Sequence, residues 1–370
     1  MQKTLDHLFH EKFLTVLVLL ALGFVFSGRL LPERAIHLVE WRTVGTLFGL
    51  LLLSCGLEQS GYLHRFGHQL LKRLPTERRV AAFFVVSAAA MATVITNDIS
   101  LFIVIPLALE VGRSLKGYPT GRLIIFVALA VNVGSSLTAV GNPQNIFLWQ
   151  TSHVSFVQFA ETMLPFAGSL FLVLLFGVFF AFRPLPLVLN NVQIANTLDS
   201  RLFTASILLY PVFLTAVDNG FIRTALLVVL LVFLFVGRKA FRRLDWALLA
   251  VFVFMFIDFK SIAALPLVQS LALQALHWKY GAFKSGLLFS QVLSNVPATI
   301  LLQSFHPPWR ELAWGVAVGG FGLAIGSLAN LIALRLARIK RLWVEFHVWS
   351  LAMFAVSFLI GLILLHIVQP

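Results

Sequence analysis

Long apolar stretches, separated by short polar interruptions, make up most of this chain. Four of the longest cover residues 13–31, 43–57, 163–182 and 342–368. Their lengths are close to the ~20 residues that an α-helix needs to cross the hydrocarbon core of a bilayer. The pattern therefore predicts an all-α polytopic membrane protein with about nine spanning helices. These are predicted at residues 13–31, 42–58, 123–149, 162–182, 202–217, 221–237, 246–259, 311–334 and 343–367.

Polar residues interrupt the apolar stretches at four places, in two pairs. The motifs Thr96-Asn97-Asp98 and Ser294-Asn295-Val296-Pro297 each lie in the middle of an apolar stretch. Each is followed by a second interruption, at 141–145 and at 326–330. Backbone groups cannot remain unsatisfied in hydrocarbon, so irregular chain at membrane depth is stable only where it lines an enclosed cavity. The pattern predicts two re-entrant helical hairpins, at 80–111 and 281–305, and two broken helices, at 123–149 and 311–334.

The interruptions occur at equivalent points of two similar halves. Glu40-Trp41 precedes the first hairpin and Asp245-Trp246 the second, and residues 140–148 align with 325–333. Each half supplies four crossings and a hairpin, and an extra helix at 202–217 inverts the second half. Inverted repeats with paired helix breaks are typical of secondary transporters, whose binding site lies at the breaks. The predicted division is a first repeat at 1–182, a cytoplasmic linker and connecting helix at 183–220, and a second, inverted repeat at 221–370.

Basic residues flank the first hairpin on both sides. Arg78 and Arg79 precede it, and Arg113 and Arg122 follow it. Because Lys and Arg collect in cytoplasmic loops, both ends of this hairpin are expected on the cytoplasmic side. Each arm of about 15 residues reaches ~22 Å, so the tip is expected beyond the bilayer midplane. The same rule places the N-terminus in the cytoplasm and the C-terminus in the periplasm of a bacterial inner membrane.

Composition supports the membrane assignment. Apolar residues make up 59% of the chain and charged residues 12%, against about 25% charged residues in a soluble domain. The net charge of +13 is explained by basic residues at segment ends, so nucleic acid is not an expected partner. The first apolar stretch has no small-x-small cleavage site and is expected to remain as a helix. Cys55 is the single cysteine, which excludes an intramolecular disulfide.

The four interruptions also carry the candidate chemistry. Asn97 or Asp98 is placed to cap the second arm of the first hairpin, and Ser294 or Asn295 that of the second, while Asn142-Pro143 repeats the arrangement. New helix N-termini suit an anion, and unwound carbonyls with hydroxyls and amides suit Na⁺. The predicted substrate- and ion-binding residues are Thr96, Asn97, Asp98, Thr138, Gly141, Asn142, Pro143, Asn145, Ser294, Asn295, Pro297, Thr299, Gly326, Ser327 and Asn330, with Ser135 and Ser136 beside them.

Among the titratable residues, Asp98 is the strongest functional candidate. A carboxylate near the bilayer centre costs ~2.5–3.5 kcal/mol or more, so it normally marks an ion or proton path; a plain helix cap is the alternative. Glu58 and Asp258 lie near predicted helix ends, and an interfacial position is expected for both. His64 and His68 have the spacing of a metal pair but stand beside basic residues at a helix end. Neither a metal site nor a cofactor is expected.

At these same interruptions the chain resembles the ion transporter superfamily, which includes arsenite efflux pumps, sodium–proton antiporters, citrate transporters and dicarboxylate–sodium symporters. The similarity runs along essentially the whole chain, and residues 326–329 are especially similar to the second half of the arsenite pump. The resemblance implies inverted repeats, a site between two hairpin tips, and elevator-like motion against a scaffold that often dimerises. It also implies tip ligands at 96–98 and 294–295 and broken-helix ligands at 141–145 and 326–330.

One departure from the family pattern bears on the substrate. Dicarboxylate carriers of the superfamily typically have Ser-Asn-Thr at both tips, whereas the third position here is Asp98 and then Val296. The loss of a hydroxyl and the added negative charge both disfavour a doubly charged carboxylate in that geometry. Substrate identity therefore does not follow from the fold.

Three functions remain open from the sequence. The favoured one is a secondary active transporter, not an enzyme, that moves a citrate/dicarboxylate- or arsenite-like anion or oxyanion with a Na⁺ or H⁺ gradient. The alternative is a cation (Na⁺)/proton antiporter with Asp98 as the exchanging carboxylate, and the third is a passive channel or structural membrane subunit. The chain has no Walker-type loop, which argues against ATP as the energy source. Expected partners are membrane lipid, the anion, Na⁺ or H⁺, and a second copy in a homodimer.

Overall fold

The computed structural model describes residues 2–63, 65, 74, 76–114, 118–186, 198–339 and 341–368. In these residues the chain is almost entirely helical, and an isolated bridge pairs Thr76 with Pro186. The first half contains α1 (Gln2–Phe26), α2 (Pro32–Leu38), α3 (Trp41–Gln59), α4 (Glu77–Val94), α5 (Asn97–Ser114), α6 (Thr120–Leu137), α7 (Pro143–Ser152) and α8 (Phe156–Ala181).

The second half has a similar order of elements. It contains α9 (Ser200–Asp218), α10 (Ile222–Val236), α11 (Arg238–Arg243), α12 (Trp246–Ala263), α13 (Pro266–Leu276), α14 (Gly281–Leu293), α15 (Asn295–Gln303), α16 (Trp309–Gly319), a 3-10 turn (Ala324–Gly326), α17 (Leu328–Ala337) and α18 (Leu342–Val368).

Most predicted helices are present, with some corrected boundaries. Helix α12 begins at Trp246 as predicted, and α3 begins at Trp41, one residue before its predicted start. The helix predicted at 13–31 is wrong at its end, because the chain turns at Gly28 (φ 70°) and α2 begins at Pro32. The helix predicted at 246–259 continues to Ala263, and the short helices α2, α11 and α13 are not predicted from the sequence pattern.

Helices α4 and α5 fold back on each other, and together they are hairpin 1. The hydroxyl of Tyr118, which follows α5, lies 3.5 Å from the carbonyl oxygen of Glu77, the first residue of α4. A Cβ on Gly112, near the end of α5, would lie 2.0 Å from Oγ1 of Thr120. The start of α4 and the end of α5 therefore lie together, although each arm is ~27 Å long. Burial, with the nearby Glu77 charge, raises the pKa of Tyr118 above its usual range.

Helices α14 and α15 form hairpin 2 in the same way. Two close approaches show that α14 runs beside α16 in the same direction. A Cβ on Gly315 would lie 2.2 Å from the carbonyl oxygen of Phe283, and a Cβ on Gly319, further along α16, would lie 2.3 Å from Cβ of Ser290, further along α14. The short loop 304–308 joins α15 to α16. Helix α15 therefore ends at the level where α14 begins.

Helices α6 and α16 occupy the centre of the molecule. Every side chain of α6 from 123 to 136 is buried, and the helix packs against α4, α5, α8, α17 and α18. Helix α16 packs against both arms of hairpin 2 and against α7, α8 and α18. The interruptions that follow α6 and α16 therefore lie in the interior.

Charged side chains gather at the two ends of the molecule. At one end Arg78 and Arg122 donate to the carbonyl oxygens of Phe182 and Ala181, at the C-terminus of α8, at 3.0 and 2.9 Å. Cations are favourable at that end of a helix. At the other end Arg42 donates to the last turn of α9. Arg78 and Arg122, which are predicted to share one side, do lie together. Which end faces the cytoplasm stays a prediction.

Five helices in the described residues are individually long and apolar enough to cross a membrane: α6, α8, α9, α12 and α18. The pair α2–α3, bent by 59°, makes a sixth. The chain is a polytopic, all-helical membrane protein. The count of about nine spanning helices and the inverted relation of the halves stay predictions.

Candidate functional site

Two asparagine side chains organise break 1, the segment 138–142 between α6 and α7. The Oδ1 of Asn142 accepts from the backbone N–H of Asn145 at 2.9 Å, so the predicted cap of α7 is confirmed. The Nδ2 of Asn145 donates to the carbonyl oxygens of Ser135, Ser136 and Thr138 at 3.2, 3.2 and 3.0 Å. One amide group thereby satisfies carbonyls at the C-terminus of α6, which have no partner within the helix.

Break 2, the segment 320–327 between α16 and α17, has the same arrangement. The Nδ2 of Asn330 donates to the carbonyl oxygen of Gly320, the residue that caps the end of α16, at 2.9 Å. A Cβ on Gly326 would lie 2.3 Å from a carbonyl oxygen at the end of α16, and one on Gly141 2.2 Å from a carbonyl oxygen near the end of α6. The two breaks thus make corresponding contacts through the segments 141–145 and 326–330.

The two hairpin tips also share one hydrogen bond. The Oδ1 of Asn97 accepts from the backbone N–H of Asp98 at 2.9 Å, and the Oδ1 of Asn295 accepts from that of Val296 at 2.9 Å. Asn97 and Asn295 therefore each hold a first N–H group of a second arm. Ser294 makes no side-chain cap bond.

Ser294 instead marks a strained backbone at the tip of hairpin 2. Its φ of 78° and ψ of 157° lie in a region that residues with a Cβ avoid. Such a conformation costs ~1–3 kcal/mol and persists where the surrounding structure imposes it, often at functional sites. The strain lies directly before Asn295, so it sets the direction in which α15 begins.

Hydrogen bonds connect hairpin tip 1 to break 1 and onward to α6. The backbone N–H of Asn97 donates to the carbonyl oxygen of Gly141 at 2.9 Å. The Nδ2 of Asn142 donates to the carbonyl oxygen of Ser135 at 3.0 Å. The hydroxyl of Ser135 in turn donates to the carbonyl oxygen of Asn132 at 3.2 Å.

Asn132 then carries the connection from the first half to break 2. Its Nδ2 donates to Oδ1 of Asn330 at 2.7 Å and to the carbonyl oxygen of Gly320 at 3.4 Å. Its Oδ1 accepts from the hydroxyl of Ser327 at 3.0 Å. All of these side chains are buried. Asn132 is absent from the predicted site, because a single polar residue in a long apolar helix does not interrupt the pattern.

Gln291, in the first arm of hairpin 2, completes the connection and is also absent from the predicted site. Its Nε2 donates to the carbonyl oxygens of Gly319 and Phe321 at 2.9 and 3.0 Å. In hairpin 1 the hydroxyl of Thr93 donates to the carbonyl oxygen of Gly134 at 3.0 Å. Thr93 and Gln291 each stand four positions before the asparagine at the tip of their own hairpin. This shared spacing is the only sequence signal that relates the two residues.

The fifteen predicted site residues are all found near the tips and breaks, and almost all are buried. Pro143 and Pro297 lie in the first turns of α7 and α15. The hydroxyl of Thr138 donates to the backbone oxygen of Thr93 and so joins break 1 to hairpin 1, whereas that of Thr299 donates to the backbone oxygen of Asn295 within hairpin 2. Asp98 is 9% exposed, at the start of α5.

Two buried polar atoms at the tips and breaks have no hydrogen-bond partner in the described residues. They are Oγ1 of Thr96 at tip 1 and Oε1 of Gln144 in the first turn of α7. Buried polar groups are almost always paired, so an unpaired one needs a ligand, water or ion to explain it. Together with the four helix N-termini that begin at the tips and breaks, these atoms offer neutral dipoles to a small ion.

Other sequence predictions have mixed outcomes. The interfacial position expected for Asp258 and Glu58 stays a prediction: the Asp258 side chain is 0% exposed, and Glu58 is partly exposed in the last turn of α3. Cys55 is buried and forms no disulfide. His64 and His68 lie outside the described residues, and no group of three or more metal-binding side chains occurs within them.

A cavity of ≈280 Å³ opens away from the breaks, at the C-terminal end of α7. It is lined by Arg42, Trp149, Gln150, His153, Val154, Asp218, Asn219 and Gly220. The length of α7, ~15 Å, separates it from Asn142. The cavity is therefore distinct from the network of tips and breaks.

Comparison with known proteins gives matches along most of the chain. The sequence model of the citrate transporter family (CitMHS) matches residues 9–319. The chain is 41% identical over 358 residues to the inner membrane protein YbiR of Escherichia coli, with 96% of each chain covered. It is 29% identical over 309 residues to the uncharacterized transporter MJ0456 of Methanocaldococcus jannaschii, covering 83% of this chain and 84% of the relative. A shorter match, 28% identical over 127 residues, covers 34% of this chain and 26% of the silicon efflux transporter LSI3 of Oryza sativa subsp. japonica.

Proposed function

This chain belongs to the citrate transporter family, and we propose that it is a secondary active transporter that moves a small anion or oxyanion across the inner membrane. Family membership makes it a membrane transporter and not an enzyme. The proposed substrate is citrate/dicarboxylate- or arsenite-like, and a Na⁺ or H⁺ gradient drives its movement by alternating access. The proposed site is the set of tip and break residues predicted from the sequence, with Asn132, Gln144 and Gln291 added.

The observation that carries this proposal is the buried network that joins the helix breaks. Its members run from Asn97 through break 1 and Asn132 to break 2 and Gln291. Breaks in buried helices are costly unless they build a site, and in transporters they present helix N-termini to anions and carbonyls to cations. The unpaired oxygens of Thr96 and Gln144 support a ligand at this place.

We propose that the two halves are inverted repeats, at 1–182 and 221–370, joined through the linker and connecting helix at 183–220. The corresponding bonds of Asn97 and Asn295, and of Asn145 and Asn330, support the repeat. The end of the molecule that holds Arg78 and Arg122 is proposed to face the cytoplasm, because basic residues collect there. The N-terminus would then be cytoplasmic and the C-terminus periplasmic. A homodimer is proposed from the superfamily resemblance.

The test is transport by purified protein in liposomes on a solid-supported membrane. Citrate, succinate, arsenite, phosphate and sulfate are applied as concentration jumps, with and without Na⁺, at two pH values; because arsenite is neutral near pH 7, its uptake is also measured with radiolabel. A saturable response to one of them, lost in Asn97→Ala, is expected. No response to any of the five, in protein that remains folded and monodisperse, would contradict the proposal.

A second candidate is a Na⁺/proton antiporter. The observation that favours it is the burial of Asp98 at the start of α5, beside the neutral ligands of break 1. A carboxylate at membrane depth can alternate between a proton and a cation. A current on a Na⁺ jump that shifts with pH and requires no anion would support this function over the first.

A further inference from the structure

The carboxyl group of Asp258 is buried and lies outside the network of tips and breaks. Asp258 is in α12, five residues before the end of an apolar helix that is long enough to span a membrane. Its side chain is 0% exposed. Neither Oδ1 nor Oδ2 has a hydrogen-bond partner in the described residues. Nothing in the transport site accounts for a carboxyl group at this place.

The elements packed against α12 offer Asp258 no counter-charge. They are α1, α2, α3, α13 and α15, together with α7, whose Phe147 ring lies 5.2 Å from that of Phe256, and α7, α13 and α15 carry no titratable side chain. The charged or titratable residues on the others, and on α12 itself, are Lys12, Glu33, Arg34, His37, Arg42, Cys55, Glu58 and Lys260. Helix α1 has more among residues 2–11, whose side chains are not described. Lys260 pairs with Glu40, and Arg42 donates to Val217. In the part of the chain that the structure describes, no cation lies within 4.0 Å of Asp258.

These surroundings decide the charge state of the group. An ionised carboxylate in an apolar interior needs a cation or several N–H and O–H donors, and without them it takes up a proton instead. Uptake joins one proton from water to a carboxylate oxygen, which removes the charge and leaves a neutral acid. A sodium ion would need several oxygen ligands as well as the carboxylate, and no group of three or more metal-binding side chains occurs in the described residues.

We infer that Asp258 is the proton-binding site of the carrier, protonated in this conformation and deprotonated when α12 is exposed to water during the transport cycle. This inference rests on the proposed function and specifies its coupling ion as H⁺. Helix α12 packs against α15, which begins at Asn295 of hairpin tip 2. A movement of hairpin 2 that opens the substrate site therefore also changes the packing around Asp258, and this links the proton to the anion.

The first test measures the protonated acid directly and needs no transport. Infrared difference spectra of the purified full chain are recorded over a pH titration for the wild type, Asp258→Asn and Glu58→Gln. A carboxylic acid C=O band that is present in the wild type and in Glu58→Gln and absent in Asp258→Asn is expected. Its persistence in Asp258→Asn would overturn the inference. Glu58 is the matched control, because it is a partly exposed carboxyl on α3.

The second test separates proton coupling from transport. Proton movement is measured in liposomes loaded with a pH-sensitive dye, to which citrate and then each of the other anions named above is added as a concentration jump. Exchange of the radiolabelled anion across the membrane is measured in parallel. In Asp258→Asn, proton movement per anion is expected to fall at least tenfold while exchange stays within about threefold of the wild type. Unchanged proton movement, or Na⁺-driven uptake without proton movement in the wild type, would overturn the inference. Absence of anion transport in the wild type would instead contradict the proposed function, and the infrared band would still report on Asp258.

If Asp258→Asn does not fold, Asp258→Glu is used. This variant keeps the carboxyl group, so the infrared band is expected to remain, shifted in its midpoint pH. A band unchanged in both position and midpoint would assign the protonated acid to another residue and overturn the inference.

Discussion

The side-chain Nδ2 of Asn132 donates a 2.7 Å hydrogen bond to Oδ1 of Asn330. Asn132 belongs to α6 in the first half of the chain, and Asn330 belongs to α17, after the break in the second half. Both side chains are buried. This bond joins the two halves near the place where both main helices are interrupted, so it links break 2 to the helix that precedes break 1.

Replacement of Asn132 by alanine is expected to lower stability and to impair transport. The substitution leaves Oδ1 of Asn330 and the hydroxyl of Ser327 without their partner, and each buried polar group left unpaired costs ~1–3 kcal/mol. Thermal unfolding in detergent and anion uptake in liposomes measure the two effects. The control is Asn219→Ala, which removes an exposed amide that also donates to a backbone oxygen. Equal stability and uptake in the two variants would show that the bond between the halves is unimportant.

Asn97→Ala and Asn295→Ala are each expected to abolish transport while the protein remains folded. Each substitution removes the oxygen that holds the first N–H of a second hairpin arm, at 2.9 Å in both tips. The loss of one such bond costs ~0.5–2 kcal/mol, which a folded membrane protein tolerates. Ser155→Ala is the matched control, since it removes a cap of α8 far from the site. Normal uptake in either tip variant would place the substrate site elsewhere.

Gly141→Ala and Gly326→Ala are expected to destabilise the protein strongly. The added Cβ would lie 2.2 Å from the carbonyl oxygen of Ser135 in one break and 2.3 Å from that of Gly319 in the other. Both obstacles are backbone atoms, so the breaks would have to open. Gly168→Ala is the control, because a Cβ there meets no atom within 4 Å and alanine favours the helix by ~1 kcal/mol. The unfolding temperature is expected to fall for Gly141→Ala and Gly326→Ala and to stay unchanged or rise for Gly168→Ala. Equal changes in unfolding temperature for all three variants would contradict close packing at the breaks.

Much of this site follows from sequence because its features interrupt a regular pattern. A polar motif in an apolar stretch is visible, and the alignment of Asn145 with Asn330 anticipates two amides in the same role. Asn132 and Gln291 are missed because each is one polar residue within an unbroken helix, and its role depends on which helix packs beside it. The end of α12 is predicted at 259, whereas the helix continues to Ala263 and Lys260 pairs with Glu40, a contact that the sequence pattern does not reveal.

Ser294→Gly is expected to stabilise the folded protein or leave its stability unchanged, and Ser294→Ala is not. Glycine adopts the φ of 78° without the steric cost, ~1–3 kcal/mol, that any Cβ incurs there. Both variants lose the hydroxyl, so the difference between them isolates the backbone strain. Thermal unfolding of the pair gives the comparison. A lower unfolding temperature for the glycine variant than for the alanine variant would show that the tip is not strained.

Asp98→Asn is expected to remove part of the pH dependence of anion affinity. When ionised, the Asp98 carboxylate places a negative charge at tip 1, so apparent anion affinity in the wild type falls as pH rises through its ionisation. Asparagine keeps the size and the capping ability of aspartate but has no charge to lose, so the apparent KM becomes flatter with pH.

The measurement is apparent KM for the transported anion at several pH values, in liposomes with the proton gradient collapsed. The matched control is Asp199→Asn, which alters a carboxylate that caps α9 by accepting from Leu202 N–H at 3.0 Å, outside the site. If Asp98 served only as a helix cap, both variants would retain the wild-type pH profile. A flatter profile in Asp98→Asn alone assigns the charge to the substrate site, while an anion-independent Na⁺ current that this variant loses would assign Asp98 to cation exchange.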